Sequence, residues 1–121
     1  MQDREKEYRQ FYYGDSQKSC KAERIVYAVA DEKQVHIHYM RRDNVMDVVS
    51  TNETSLLQML AAHPGSFVHS NRHIIVRKRF LLSYGPQVHN PKQFECSVRF
   101  VNEPLEISRR RIRLVRDALI K

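Results

Sequence analysis

Asn71, Arg72 and His73 stand together within Phe67-Val-His-Ser-Asn-Arg-His-Ile-Ile-Val76, directly before an apolar run. Asn can offer a paired donor and acceptor to adenine, Arg a two-donor fork to guanine, and His a donor to a base or a phosphate. A turn entering a rigid strand would hold all three at fixed positions above a core. The arrangement recurs where Leu105-Glu-Ile-Ser108 leads into Arg109, Arg110 and Arg111. Lys33 and Gln34 have the same chemistry at the tip of an expected hairpin. No Asp or Glu interrupts the stretch between Thr54 and Phe94. These residue types in this order suggest a surface that grips a polyanion.

The elements that must position these groups are short strands. Tyr8 to Tyr13 is aromatic and ends at Gly14-Asp-Ser, a strand and a turn. Arg24 to Ala30, Val35 to Met40 and Val45 to Val49 are β-rich, broken by Asp31-Glu-Lys-Gln34 and Arg41-Arg-Asp-Asn44; they predict an antiparallel meander. Ser50-Thr-Asn-Glu53 matches a capping box. Behind it Leu56, Leu57, Leu60 and Ala61 form a helical stripe, which His63-Pro-Gly65 stops. Phe67, Ile74 to Val76, Phe80 to Leu82, Phe94 to Phe100 and Leu105 to Ile107 predict further strands, with a loop over Gly85 to Lys92. Ser108 to Ile120 carries Ile112, Val115 and Leu119 on one stripe, an amphipathic helix with Ser108 as its N-cap. The chain is thus expected to be mainly β, with one central and one C-terminal helix.

That last helix sharpens the chemistry. Arginines in a first helical turn oppose the macrodipole, which favours anions there. The bland reading of Arg109 to Arg113 is a solvated helix face. A phosphate backbone would instead satisfy both the arginines and the free N–H groups of the helix end, and this reading is the stronger.

Composition bounds the remainder. At 121 residues the chain fits one domain, and a domain of that size buries enough surface for a core without covalent staples. A hydrophobic content of 41% with 29% charged residues is that of an ordinary globular protein. No apolar run approaches the roughly 20 residues of a membrane span. Residues 1–7 are charged and aperiodic, a linker or disordered end, leaving 8–121 as the domain. Cys20 and Cys96 lack any CxxC spacing and are expected as buried free thiols in a cytoplasmic protein. The net charge of +7 calls for an anionic partner: nucleic acid, an acidic membrane surface or an acidic protein.

Six histidines raise the question of a metal. His36 and His38 share a strand face, and His69 and His73 are four apart, but no carboxylate lies near the latter pair to complete a site. There is no Gly-rich phosphate loop, no Gly-x-Ser-x-Gly and no paired carboxylates in an apolar setting. Neither metal, cofactor nor catalysis is expected.

At these residues the sequence resembles the LytTR DNA-binding family, the output domain of many bacterial response regulators. The family's Ile-x-Tyr strand is matched by Ile25-Val-Tyr27, ending at Asp31-Glu-Lys-Gln34. Its Phe-x-Arg-x-His-Arg-Ser-x-x-Val signature is similar to Phe67 to Val76, and its Val-Ser-Arg motif to Ile107-Ser108-Arg109. Around Ser108-Arg-Arg and Val115-Arg116 the wording is nearest to regulators of the alginate-biosynthesis type. The three motifs are ordered, and the likeness runs from about Tyr8 to Lys121. Departures fall on the tips: His69, Asn71 and His73 replace the family's Arg, His and Ser, and Gln34 its hairpin-tip aromatic.

The resemblance implies an elongated antiparallel multi-sheet β fold whose loops enter successive major grooves on one face of DNA. By family position the base readers are Lys33 or Gln34, Arg72 and Arg109, with Asn71, His73 and Arg110 as neighbours. It also implies a transcription regulator of a two-component system, a receiver domain preceding this module, and paired promoter sites that favour a DNA-dependent dimer. Two alternatives remain: a basic module docking an acidic protein such as a receiver domain, and an RNA binder stacking bases on Tyr12, Tyr13 and Tyr39.

Overall fold

The computed structural model describes residues 11–120. The expected linker over 1–7 and the start of the first strand at Tyr8 lie outside them. The described chain is mainly β, with three antiparallel sheets. β1 (Tyr12–Gly14) and β2 (Ser19–Lys21) form a small hairpin. β3 (Ile25–Ala30), β4 (Val35–Met40), β5 (Met46–Thr51), β6 (Phe67–Asn71) and β7 (Ile74–Arg77) make a five-stranded sheet in the order β5-β4-β3-β7-β6. β8 (Leu81–Pro86), β9 (Phe94–Val98) and β10 (Leu105–Ile107) form a third sheet. Helix α1 (Leu56–Ala62) links β5 to β6, and α2 (Ile112–Leu119) closes the described chain.

Strands β3, β6 and β7 are buried on both faces, which suits their consecutive apolar residues, whereas β4 alternates. Ile25, Ile37, Phe67 and Ile75 face one core with Leu56 and Met59 of α1 and with Tyr13 and Cys20 of the small hairpin. Val26, Val68 and Val76 face the other, against Cys96, Val98 and Ile107 of the third sheet and Val115 and Ala118 of α2. Each fully buried Ile or Met contributes roughly 1.5–3 kcal/mol of transfer free energy. The two cysteines are free thiols in different cores, and burial pushes Cys20 up to about 12 and Cys96 up to about 11.

The strand pattern read from the sequence reappears: the meander β3-β4-β5 is present, with Val35, Ile37 and Tyr39 buried together on β4. β2 is an addition, and β8 runs on to Pro86, shortening the expected loop. Three expectations need correction. Ser50 is not a helix cap; it lies in β5, whose pairing with β4 continues to Thr51 opposite Val35. Ser55 caps α1 instead, its side chain accepting the Gln58 N–H, because Ser55-Leu-Leu-Gln58 repeats the same local pattern one turn later. The buried stripe of α1 is Leu56, Met59 and Leu60, while Leu57 is exposed.

The third correction concerns the arginine run. Arg109–Arg111 form a separate 3-10 turn, Ser108 makes no side-chain cap, and the α-helix starts only at Ile112. Arg109 and Arg110 therefore precede the helix, while Arg111 at its N-cap and Arg113 in its first turn still face the positive end of its dipole.

Removing the true cap should be measurable. Ser55→Ala is expected to lower stability by about 1 kcal/mol in urea unfolding, with an unchanged m-value.

Candidate nucleic-acid interface

The first tip is the β3–β4 turn. Asp31 Oδ1 accepts the N–H groups of Lys33 and Gln34, each at 2.8 Å, and the Asp31 N–H donates to the Gln34 carbonyl at 2.9 Å. Short polar side chains that bind the backbone two or three residues on shape a turn without help from its long side chains. The outer carboxylate oxygen meets His36 Nε2 at 2.6 Å, and His36 Nδ1 lies 2.7 Å from Ser50 Oγ on β5. The His36 contact and then the backbone donors hold the Asp31 carboxyl far below its ordinary value of 3.8. Lys33 and Gln34 remain exposed at the tip.

The second tip is the β6–β7 turn, built by the same device. Asn71 Oδ1 accepts the His73 N–H at 2.8 Å. Arg72 Nε donates to His73 Nε2 at 2.9 Å, so that nitrogen acts as acceptor and the ring aligns with the guanidinium. His69 Nδ1 donates to the Asn71 carbonyl at 3.0 Å. With its oxygen already accepting from His73, Asn71 keeps its N–H donors free for a ligand.

The third tip is the 3-10 turn Arg109–Arg111. Its position follows from a bulge. Between His69 and Asn71 the β6–β7 register shifts by one residue, leaving Ser70 out of the ladder. The Ser70 carbonyl accepts the Ser108 N–H at 2.9 Å and so fixes the start of the turn beside the second tip.

Together these contacts place the three tips at one end of the five-stranded sheet. β3 lies next to β7, and the Ala30 N–H donates to the His73 carbonyl at 2.8 Å, joining the first tip to the second. Asn71, Arg72 and His73 form one wall of a hollow of about 520 Å³, and Ser108 to Arg111 another. Of the residues expected from the sequence, five line this hollow: Asn71, Arg72, His73, Arg109 and Arg110. Lys33 and Gln34 do not; they stand on the neighbouring hairpin, two strand spacings away, roughly 10 Å.

The second and third tips are cationic. Among the described residues none of Lys33, Arg72, Arg109, Arg110 or Arg111 takes part in an ion pair. Arg111, part of the arginine run read from the sequence, also lines the hollow, as does Glu106, which the sequence did not single out. Glu106 is the lone carboxylate there, a side chain suited to accepting from a cytosine amine. Its strand position beside the Ser-Arg motif was visible in sequence, but its facing was not.

His36 and His38, the other histidine pair, do not converge on a metal; His38 stacks on Tyr27 with ring centroids 4.2 Å apart. Among the described residues no cluster of three or more His, Cys, Asp or Glu could hold a metal ion, and no helix is long and apolar enough to cross a membrane.

No protein-family model matches the chain, and no curated protein does. Among solved structures it is similar to one described as the LytTr DNA-binding domain attributed to a methyl-accepting/DNA response regulator from Bacillus cereus. The TM-score is 0.65 over 89% of this chain and 94% of that one, at 17% identity. This chain has the LytTr fold. The architecture is therefore a known one, reached here by a sequence that shares few residues with that structure.

Two expectations follow from the turns. Asn71→Asp keeps the oxygen that accepts from His73 and should preserve stability, whereas Asn71→Ala should cost about 0.5–1.5 kcal/mol; thermal unfolding distinguishes them. For Asp31 the folded carboxyl titrates below its unfolded value, so its contribution is present above about pH 4 and is lost as pH falls through and below that point. Amide protection at Lys33 and Gln34, taken relative to the intrinsic exchange rate at each pH, should fall selectively in that acid range, and should be lost at neutral pH in Asp31→Ala.

Proposed function

We propose that this chain binds duplex DNA sequence-specifically, as the output domain of a bacterial transcriptional response regulator. The observation that carries the reading is the hollow in which the Asn71-Arg72-His73 and Arg109–Arg111 turns face each other, with the Lys33 hairpin alongside. Unpaired guanidinium groups held by a rigid scaffold suit phosphates and guanine edges alike. The LytTr fold supports the same conclusion, as do the family-like motifs around Phe67 to Val76 and Ile107 to Arg109.

In this reading Arg72 and Arg109 read bases, Lys33 and Gln34 contact DNA from the first hairpin, and His73 and Arg110 assist. Asn71 mainly positions the second tip, since its oxygen is held by His73. In the same reading the outer tips address successive major grooves on one face of the duplex. No catalysis or cofactor enters. The module works in the bacterial cytoplasm within a two-component system, follows a receiver domain, and pairs on adjacent promoter sites. The alginate-biosynthesis subtype rests on Ser108-Arg-Arg and Val115-Arg116.

Selection from random duplexes followed by titration tests this. Arg72→Ala and Arg109→Ala should each weaken the selected site by roughly 1–3 kcal/mol and relax preference at one position. Unchanged affinity of both variants for selected and scrambled duplexes would refute the base-reading assignment. Hydroxyl-radical footprinting should show protections about 10 bp apart, one helical turn. A single protected patch would remove the two-groove arrangement while leaving DNA binding intact.

A further inference from the structure

A second cationic feature sits at the opposite end of the five-stranded sheet. Six-residue strands β3 and β4 separate it from the tips by roughly 20 Å at about 3.3 Å per residue. There the turn before β3, the β4–β5 turn, the 3-10 turn Lys78–Phe80 and the turn after β9 enclose a cleft of about 360 Å³. Its charged lining is Arg24, Arg79 and Arg99 against the single carboxylate of Glu23, which pairs with Lys21 at 3.4 Å. None of the three arginines forms an ion pair among the described residues. Among the described residues Arg24 and Arg79 donate to main-chain carbonyls, of Met40, Arg41 and Glu23.

The aromatic part of the cleft is built as deliberately. Phe80 and Phe100 meet edge to face at 5.5 Å, and the guanidinium groups of Arg79 and Arg99 lie over them, each 4.9 Å from a ring centroid. Phe100 occupies the third position of a turn closed by the Val101 N–H and the Val98 carbonyl, with φ of +73°. That position favours glycine, and a bulky residue there is strained. The strain presents a phenyl ring that stays 44% exposed. Such strain concentrates at ligand clamps. The cleft has the volume of a small-ligand or side-chain site, too narrow for a duplex.

We propose that this cleft binds an acidic segment of a protein partner, its carboxylates on Arg24, Arg79 and Arg99 and an apolar side chain against Phe80 and Phe100. Charge complementarity selects the occupant: three guanidinium groups and two rings match a short peptide of acidic and aromatic residues. The site is independent of the DNA-reading end, so a partner could dock while the tips are occupied.

The test uses the full chain and a fluorescein-labelled peptide alternating aspartate and phenylalanine, with a lysine-for-aspartate peptide as control. Anisotropy should show saturable, salt-sensitive binding of the acidic peptide alone. Arg99→Glu should weaken it at least tenfold, and Phe100→Gly, which suits the turn, should weaken it with an unchanged circular dichroism spectrum. Arg72→Ala should leave it unaltered. Absence of saturable binding would overturn the proposal, as would peptide binding that Arg72→Ala weakens as strongly as Arg99→Glu. So would a loss of duplex DNA affinity in Arg99→Glu equal to that in Arg72→Ala, which would make the cleft a nucleic-acid contact.

Discussion

At Ser70 strand β6 gains one residue over its partner, and the carbonyl released from the ladder accepts the Ser108 N–H at 2.9 Å. This bond ties the last sheet and the arginine turn to an edge of the central sheet. On the other side, the Ala30 N–H reaches the His73 carbonyl at 2.8 Å and ties the first hairpin to the second. Both links are main-chain, so they hold whatever the exposed side chains are doing. The tips keep their spacing while Lys33, Arg72 and Arg109 stay available to a ligand.

Within each hairpin tip the same division of labour recurs. Asp31 and Asn71 spend their oxygens on backbone N–H groups and set the turn, leaving the longer residues beside them exposed. Short side chains make good turn formers because they reach their own backbone with little rotamer entropy to lose. Arg72 is further restrained by its bond to His73, which leaves its side chain less rotamer entropy to lose.

The stiffness behind the tips comes from a sheet packed on both faces, each face with its own core. Arg77 shows how that scaffold is closed at the far end. It is buried, donates to the carbonyls of Ile25 and Ala22, and lies 4.6 Å from the Phe67 ring centroid. Burial lowers its pKa to about 10, so it remains charged at neutral pH without a carboxylate. Arg77, which opens the basic run Arg77-Lys-Arg79, is therefore a structural bolt. Not every arginine of a basic protein belongs to its ligand surface.

What the sequence determined by itself is local. Alternation in Val35 to Met40, the doubly buried Ile75-Val76 run and the turn chemistry of Asp31 and Asn71 each act over a few residues, and they placed most strands and both tips correctly. Where two local signals competed, as with Ser50 and Ser55 for the cap of α1, long-range pairing of β5 with β4 decided between them. Only the tertiary structure decided that Ser70 bulges, that Arg109–Arg111 form their own turn, that Arg77 is buried and that Phe80 and Phe100 meet. Those outcomes depend on partners tens of residues away, and a hydrogen bond or ring contact at such separation leaves no periodic trace along the chain.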